Sequence, residues 1–146
     1  MSEQERAAQR PAIPSDMKAF NRALIQDFRA SGGKLSGPMA GRILILLTTK
    51  GARSGEPRTV VLGFGRHGDE LVAIASDNGA EEHPAWYRNL LADPTATIEL
   101  GEEKFDVRAR TAKPDEREVY AKVIPYLERQ QKLTDREIPL VVFERV

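Results

Sequence analysis

Beyond Arg42 the chain breaks into short, strand-length runs, most of them not followed by a helix, and this order limits the fold more than any other feature. Arg42 to Thr49 is a continuous apolar run, the pattern of a strand covered on both faces. Arg58 to Arg66 reads as a second strand, His67-Gly68-Asp69 as a tight turn, and Glu70 to Ser76 as a third strand with "LVAIAS" as its body. "DNGAEE" is a loop, and His83-Pro84 then opens a short helix through Trp86, Leu90 and Leu91, with proline at its tolerated first position. "TATIEL" and "KFDVRARTA" flank Gly101-Glu102 and alternate apolar with polar residues, so each should have one wet face. Pro114-Asp115-Glu116 starts another helix, which Pro125 interrupts, and "IPLVVFERV" closes the chain as a last strand. The order β-β-β-α-β-β-α-β does not alternate strictly. It argues against a doubly wound parallel sheet and predicts a mainly β, mostly antiparallel split barrel of six strands with about three flanking helices.

Ahead of the strands, residues 1–14 are polar with two prolines and read as a loose arm. From Ser15, a candidate cap, Met17, Phe20, Leu24 and Phe28 recur at helical steps, and Gly32-Gly33 stops the helix. Residues 15–146 therefore read as one domain, a size that supports a single core.

Composition narrows the chemistry. There is no cysteine, which excludes thiolate nucleophiles and Cys-ligated metals. The two histidines, His67 and His83, give no paired ligand spacing, so no metal is expected. Lys plus Arg is 22 and Asp plus Glu is 22, a neutral balance without the positive field of a general nucleic-acid binder. No 18-residue apolar run or signal peptide occurs, so the chain reads as cytoplasmic. A membrane contact or lid role for helix 15–30 stays open, as does the choice between monomer and homodimer.

The turn "LLTTKGARSGEPRTV" is longer than a hairpin needs and holds Lys50, Arg53 and Arg58 with Gly51, Ser54 and Gly55. Glycines let backbone N–H groups form a concave nest, and cations add charge, a combination that suits a phosphate or carboxylate. The alternative is a solvated turn whose cations aid solubility. No GxxxxGK[ST] or GxGxxG is present, so nucleotide hydrolysis is unsupported. In "ASDNGAEEHPAWYRNL" a strand runs through a small-residue loop into a helix start, where backbone donors can reach a ligand. Trp86 there is either core or the wall of a flat ligand's pocket. His83 reads as a capping residue; no acid is placed to tune it as a base. With few acid–base or nucleophilic candidates, catalysis would need a cofactor that brings the reactive atom.

These segments, with the closing "TDREIPLVVFERV", resemble the deazaflavin-dependent nitroreductase and quinone reductase family from about Phe20 onward. The paired signatures TT-x-G-x-x-SG-x-x-R and HP-x-W-x-x-N-L carry the likeness. The resemblance implies a split β-barrel oxidoreductase using coenzyme F-420, an 8-hydroxy-5-deazaflavin with a phosphate and an oligoglutamate tail. It would pass hydride to a small electrophilic acceptor such as a quinone, enone or nitroaromatic. Carried over by position, the cofactor would be held by Thr48, Thr49, Lys50, Gly51, Ala52, Arg53, Ser54, Gly55 and Arg58, by Val60, Val61 and Leu62, by Ala75, Ser76, Asp77, Asn78 and Gly79, and by Trp86 and Asn89. Ser76 and Tyr126 are the candidate proton donors. Members that reduce quinones tend to place tyrosines over the ring, where this chain offers Gly63-Phe64, Ile124, Leu127 and Gln130, implying a less polar acceptor pocket. The alternatives are a flavin mononucleotide (FMN) oxidoreductase of the same barrel type and a non-catalytic deazaflavin carrier.

Overall fold

The structure is a computed structural model that describes residues 2–9 and 17–146. Ser15 and the Met17 side chain, both assigned to the first helix from sequence, lie outside the described atoms. Within the segment read as a loose arm, Glu3–Gln9 forms a helix, α1. Helix α2 spans Met17–Ser31, and Gly33 N–H closes its end on the Phe28 carbonyl at 2.9 Å. Gly32 and Gly33 take φ +65° and +86°, a conformation that ends a helix and that glycine adopts without strain.

Seven strands follow: β1 (Ile45–Lys50), β2 (Pro57–Leu62), β3 (Gly65–His67), β4 (Glu70–Ile74), β5 (Thr95–Leu100), β6 (Glu103–Thr111) and β7 (Leu140–Arg145). They pair antiparallel throughout, in the order β2-β1-β5-β6-β7-β4-β3. The expected count of six rises to seven because the run Arg58–Arg66 is two strands parted at Gly63-Phe64. The expected three helices become five α-helices among the described residues, α3 (Ala85–Ala92), α4 (Arg117–Ala121) and α5 (Leu127–Gln131) completing the set. Pro125 divides what would be one helix into α4 and α5, since it cannot donate the interior hydrogen bond.

The apolar run of β1 is covered on both faces, as its sequence requires. Ile45 and Leu47 enter the main core with Ile98, Trp86 and Phe143, while Leu46 lies beneath α2 against Leu24 and Phe28. All three β1 residues are fully buried, each contributing about 1.5–3 kcal/mol relative to exposure. β2 alternates in the same way: Val60 and Leu62 pack toward the main core, Val61 toward α2.

The topology itself makes a slit. β2 and β3 stand at opposite ends of the hydrogen-bonded order, yet only Gly63 and Phe64 separate them in the chain. A seven-stranded sheet whose end strands are joined by two residues must curl nearly into a cylinder. The last seam is left unzipped, because among the described residues β2 is paired on one side only, to β1.

Candidate functional site

Three walls surround this seam. The first is the free edge of β2, whose backbone groups on that side face no strand. The second is the segment Ala75–Ala80 leaving β4. The β3–β4 register sets Gly65 opposite Val72, so the chain beyond Ile74 runs along the level of β2. The third is α5 and its flanks. The Tyr126 hydroxyl lies 2.9 Å from where a Cβ on Gly63 would stand, Gln130 accepts from the Ser76 hydroxyl at 2.6 Å, and Leu133 packs on Gly79. Tyr126 precedes α5, Gln130 lies within it and Leu133 follows it, so α5 with its flanks spans the seam from β2 to the β4 loop. Glycine at 63 is what admits the phenol.

At one end lies the turn between β1 and β2. Gly51 N–H donates to Glu56 O at 2.8 Å, Gly55 N–H to Gly51 O at 2.9 Å, and Glu56 N–H to Ser54 Oγ at 3.1 Å. The turn is therefore closed by its own bonds, with Gly55 at φ +73°. A Cβ on Gly51 would stand 2.7 Å from Ser54 Oγ, so glycine at 51 serves the turn's closure. Lys50, Arg53 and Arg58 are all exposed, and among the described residues none of them forms an ion pair. Three cations on a preshaped turn, with only the longer-range field of Asp93 acting on Lys50, are a combination that suits an anion.

Asn89 fastens this turn to α3. Its Oδ1 accepts from Ala52 N–H at 3.0 Å and its Nδ2 donates to Thr49 Oγ1 at 3.1 Å. Asn89 and Thr49 are buried, so the amide acts as a bracket. Trp86 is also buried, in the main core with Tyr87, Ala75 and the flank of Val60 and Leu62. Thr48 bonds Thr59 across the hairpin at 2.8 Å, on the outer face, where a cleft of about 450 Å³ is lined by Lys50, Gly55, Pro57, Thr95 and Thr97 as well.

The loop wall is more tightly built than sequence suggests. Asp77, Asn78 and Gly79 take φ of 51°, 56° and 72°, three left-handed residues in succession. Such a conformation costs an L-residue about 1–2 kcal/mol, less for Asp and Asn. Ser76 Oγ accepts from Gly79 N–H at 3.0 Å while donating to Gln130, so its hydroxyl proton is engaged. Of the two candidate donors, Tyr126 is therefore the better placed. It is half-buried, and desolvation raises its pKa, so the phenol stays protonated through neutral pH. Tyr120, the other phenol of this region, is occupied elsewhere: it donates to Glu70 at 2.9 Å and accepts from Arg110 at 3.0 Å.

Sequence reasoning missed Arg136. Its guanidinium donates to the carbonyls of Ala75, Ser76 and Ala80 at 3.0, 2.5 and 2.9 Å and to His83 Nδ1 at 2.9 Å. An arginine always donates, so His83 Nδ1 is unprotonated here. Burial, then the charges of Arg136 and Arg88, depress the His83 pKa accordingly. A lone Arg in "TDRE" carries no local signal of these contacts. Among the described residues no cluster of His, Asp and Glu could hold a metal, and no helix is long and apolar enough to cross a membrane.

A family model described as F420H(2)-dependent quinone reductase matches residues 20–145. An F420H(2)-dependent quinone reductase of Mycobacterium tuberculosis is 32% identical over 127 residues, covering 81% of this chain and 85% of that protein. Among solved structures, one described as an F420-H2 dependent reductase (FDR-A) is 35% identical with a TM-score of 0.64, covering 70% of this chain and 95% of its own. A second, a domain-swapped dimer, is 32% identical with a TM-score of 0.65 and covers 87% and 95%. A haem storage protein of Vibrio cholerae, 18% identical at TM-score 0.52, shares the fold alone.

Proposed function

The chain belongs to the F420H(2)-dependent quinone reductase family, and on that premise we propose that its seam between β2 and the Ala75–Ala80 loop takes the deazaflavin ring, with the Lys50–Arg58 turn at the anionic end. The protein is an oxidoreductase that passes hydride from reduced coenzyme F-420 to a quinone acceptor. When bound, the deazaflavin supplies the hydride.

The residues present fit that group. The observation that carries the assignment is the set of exposed cations Lys50, Arg53 and Arg58 without an ion-pair partner among the described residues. Ser54, whose oxygen already accepts from Glu56 N–H, keeps its hydroxyl proton to donate to a phosphate oxygen. The one-sided edge at Val60–Leu62 offers main-chain donors and acceptors to a flat heterocycle, and Val60 and Leu62 turn their side chains to the core. The α5 face, with Tyr126 and Leu133, excludes water from the seam and borders the space for an acceptor. Holding donor and acceptor in contact away from solvent is the protein's main contribution to a hydride transfer. Tyr126 is placed to give the accompanying proton.

The test is a titration of purified protein with oxidised coenzyme F-420 and with FMN, followed by Trp86 fluorescence and repeated with Arg53→Ala and at raised salt. Selective binding of the deazaflavin, weakened by both changes, is the expected result. Tighter binding of FMN would overturn the cofactor assignment to this seam, and indifference to Arg53→Ala would overturn the role of the turn.

A further inference from the structure

Arg136 is a guanidinium embedded among three carbonyls and an imidazole, without a carboxylate in ion-pair contact among the described residues. Burial lowers its pKa, and the nearest compensation is the field of Asp77. Placing a cation there is costly, and packing alone would favour an apolar side chain. What it obtains is geometric. Its bonds reach both ends of the segment that contains Asp77, Asn78 and Gly79, fixing the carbonyls of residues 75, 76 and 80 around three left-handed residues. Two of these are not glycine, so the segment would relax without an external hold. Ser76 and Leu133 support the inner side, where Ser76 Oγ takes the Gly79 amide and a Cβ at Gly79 would overlap Leu133. His83 ties the same guanidinium to the start of α3, the helix whose Asn89 brackets the basic turn. One side chain thus connects the loop wall of the seam to the helix that brackets the basic turn.

The geometry points to Arg136 as the positioning residue of the cofactor site: it holds the Ala75–Ala80 segment in its left-handed form, the form that can face the deazaflavin. This rests on the cofactor assignment above. Arg136 touches no reacting atom and acts through the loop. A lysine cannot replace it, because a single ammonium lacks the planar fork that bridges these acceptors.

The experiment compares wild type with Arg136→Met, Arg136→Lys, Asn78→Gly and the double variant Asn78→Gly/Arg136→Met. Two readouts are taken: amide hydrogen exchange at Gly79 and Ala80 in cofactor-free protein, and the Kd for oxidised coenzyme F-420 from Trp86 fluorescence. Arg136→Met is expected to speed exchange at those amides by about tenfold or more, leaving β5 and β6 amides unchanged, and to weaken cofactor binding by about tenfold. Glycine at 78 removes the strain that Arg136 opposes, so measured against Asn78→Gly alone, Arg136→Met should cost only about twofold in affinity. If Arg136→Met does not fold, Arg136→Lys carries the same test and should lose affinity in the same direction. Local exchange unchanged, or affinity within about twofold of wild type, overturns the inference. So does an equal loss of affinity on Arg136→Met in the wild-type and Asn78→Gly backgrounds. A wild type that binds no deazaflavin overturns the cofactor assignment instead, which the exchange readout distinguishes because it needs no cofactor.

Discussion

Replacing Asn89 with alanine isolates what the bracket between α3 and the basic turn is worth. Two hydrogen bonds are lost, to Ala52 N–H and to Thr49 Oγ1, and both Asn89 and Thr49 are buried. At about 1 kcal/mol net for each bond, Asn89→Ala should destabilise the fold by about 2 kcal/mol. For a chain of 146 residues that corresponds to a fall in Tm of about 6 °C. Thr49→Val removes only one of the bonds and should cost about half as much. Because both changes delete that shared bond, the double variant should be less destabilised than the sum, with a coupling of about 1 kcal/mol. Thermal unfolding of the four proteins gives the cycle directly. The three variants should also lose affinity for coenzyme F-420 in the order of their destabilisation, since a turn released from α3 must be re-ordered on binding. A Tm within about 2 °C of wild type for Asn89→Ala, or strict additivity with Thr49→Val, would refute the bracket.

Two further outcomes follow from the site. Tyr126→Phe keeps the ring that covers Gly63 and removes the phenol, so cofactor affinity should hold while turnover at saturating cofactor falls by about a hundredfold or more; equal turnover would remove Tyr126 as the proton source. His83 has its pKa lowered in the fold, by burial first and then by Arg136 and Arg88, with Glu3, Asp77, Glu81 and Glu82 the acids of the same region. The neutral form is the one the fold accepts, so its contribution is complete above the ordinary imidazole pKa and is lost as pH falls from there through the lowered value. His83→Gln, which keeps an acceptor for Arg136, should flatten the dependence of Tm on pH across that interval, and parallel profiles would contradict the assignment.

Elements defined by local pattern were legible in the sequence, because their causes lie within a few residues. β1 shows as an unbroken apolar run, β5 and β6 as alternation, and the α4–α5 break as Pro125. The basic turn and the α3 start were legible as motifs, though not the bond that joins them, since Asn89 and Ala52 are far apart in the chain. Distance in sequence is also why Arg136 went unseen: its acceptors lie more than fifty positions away. The division of Arg58–Arg66 into β2 and β3 depends on sheet curvature, which no local pattern encodes. Gly63 and Gly65 were its only trace, one admitting Tyr126 and the other passing against the Val123 carbonyl.

The unzipped edge of β2 has a consequence for the empty protein. An exposed, one-sided strand is a template for any extended polypeptide, and folded proteins ordinarily blunt such edges. Here Pro57 guards only the first residue, and the rest of the edge has no such block. A cofactor bound in the seam, as proposed above, would also withhold that edge from other chains, so that cofactor-free protein should be the more prone to strand exchange. Binding of the small molecule there would, in effect, complete the sheet's closure.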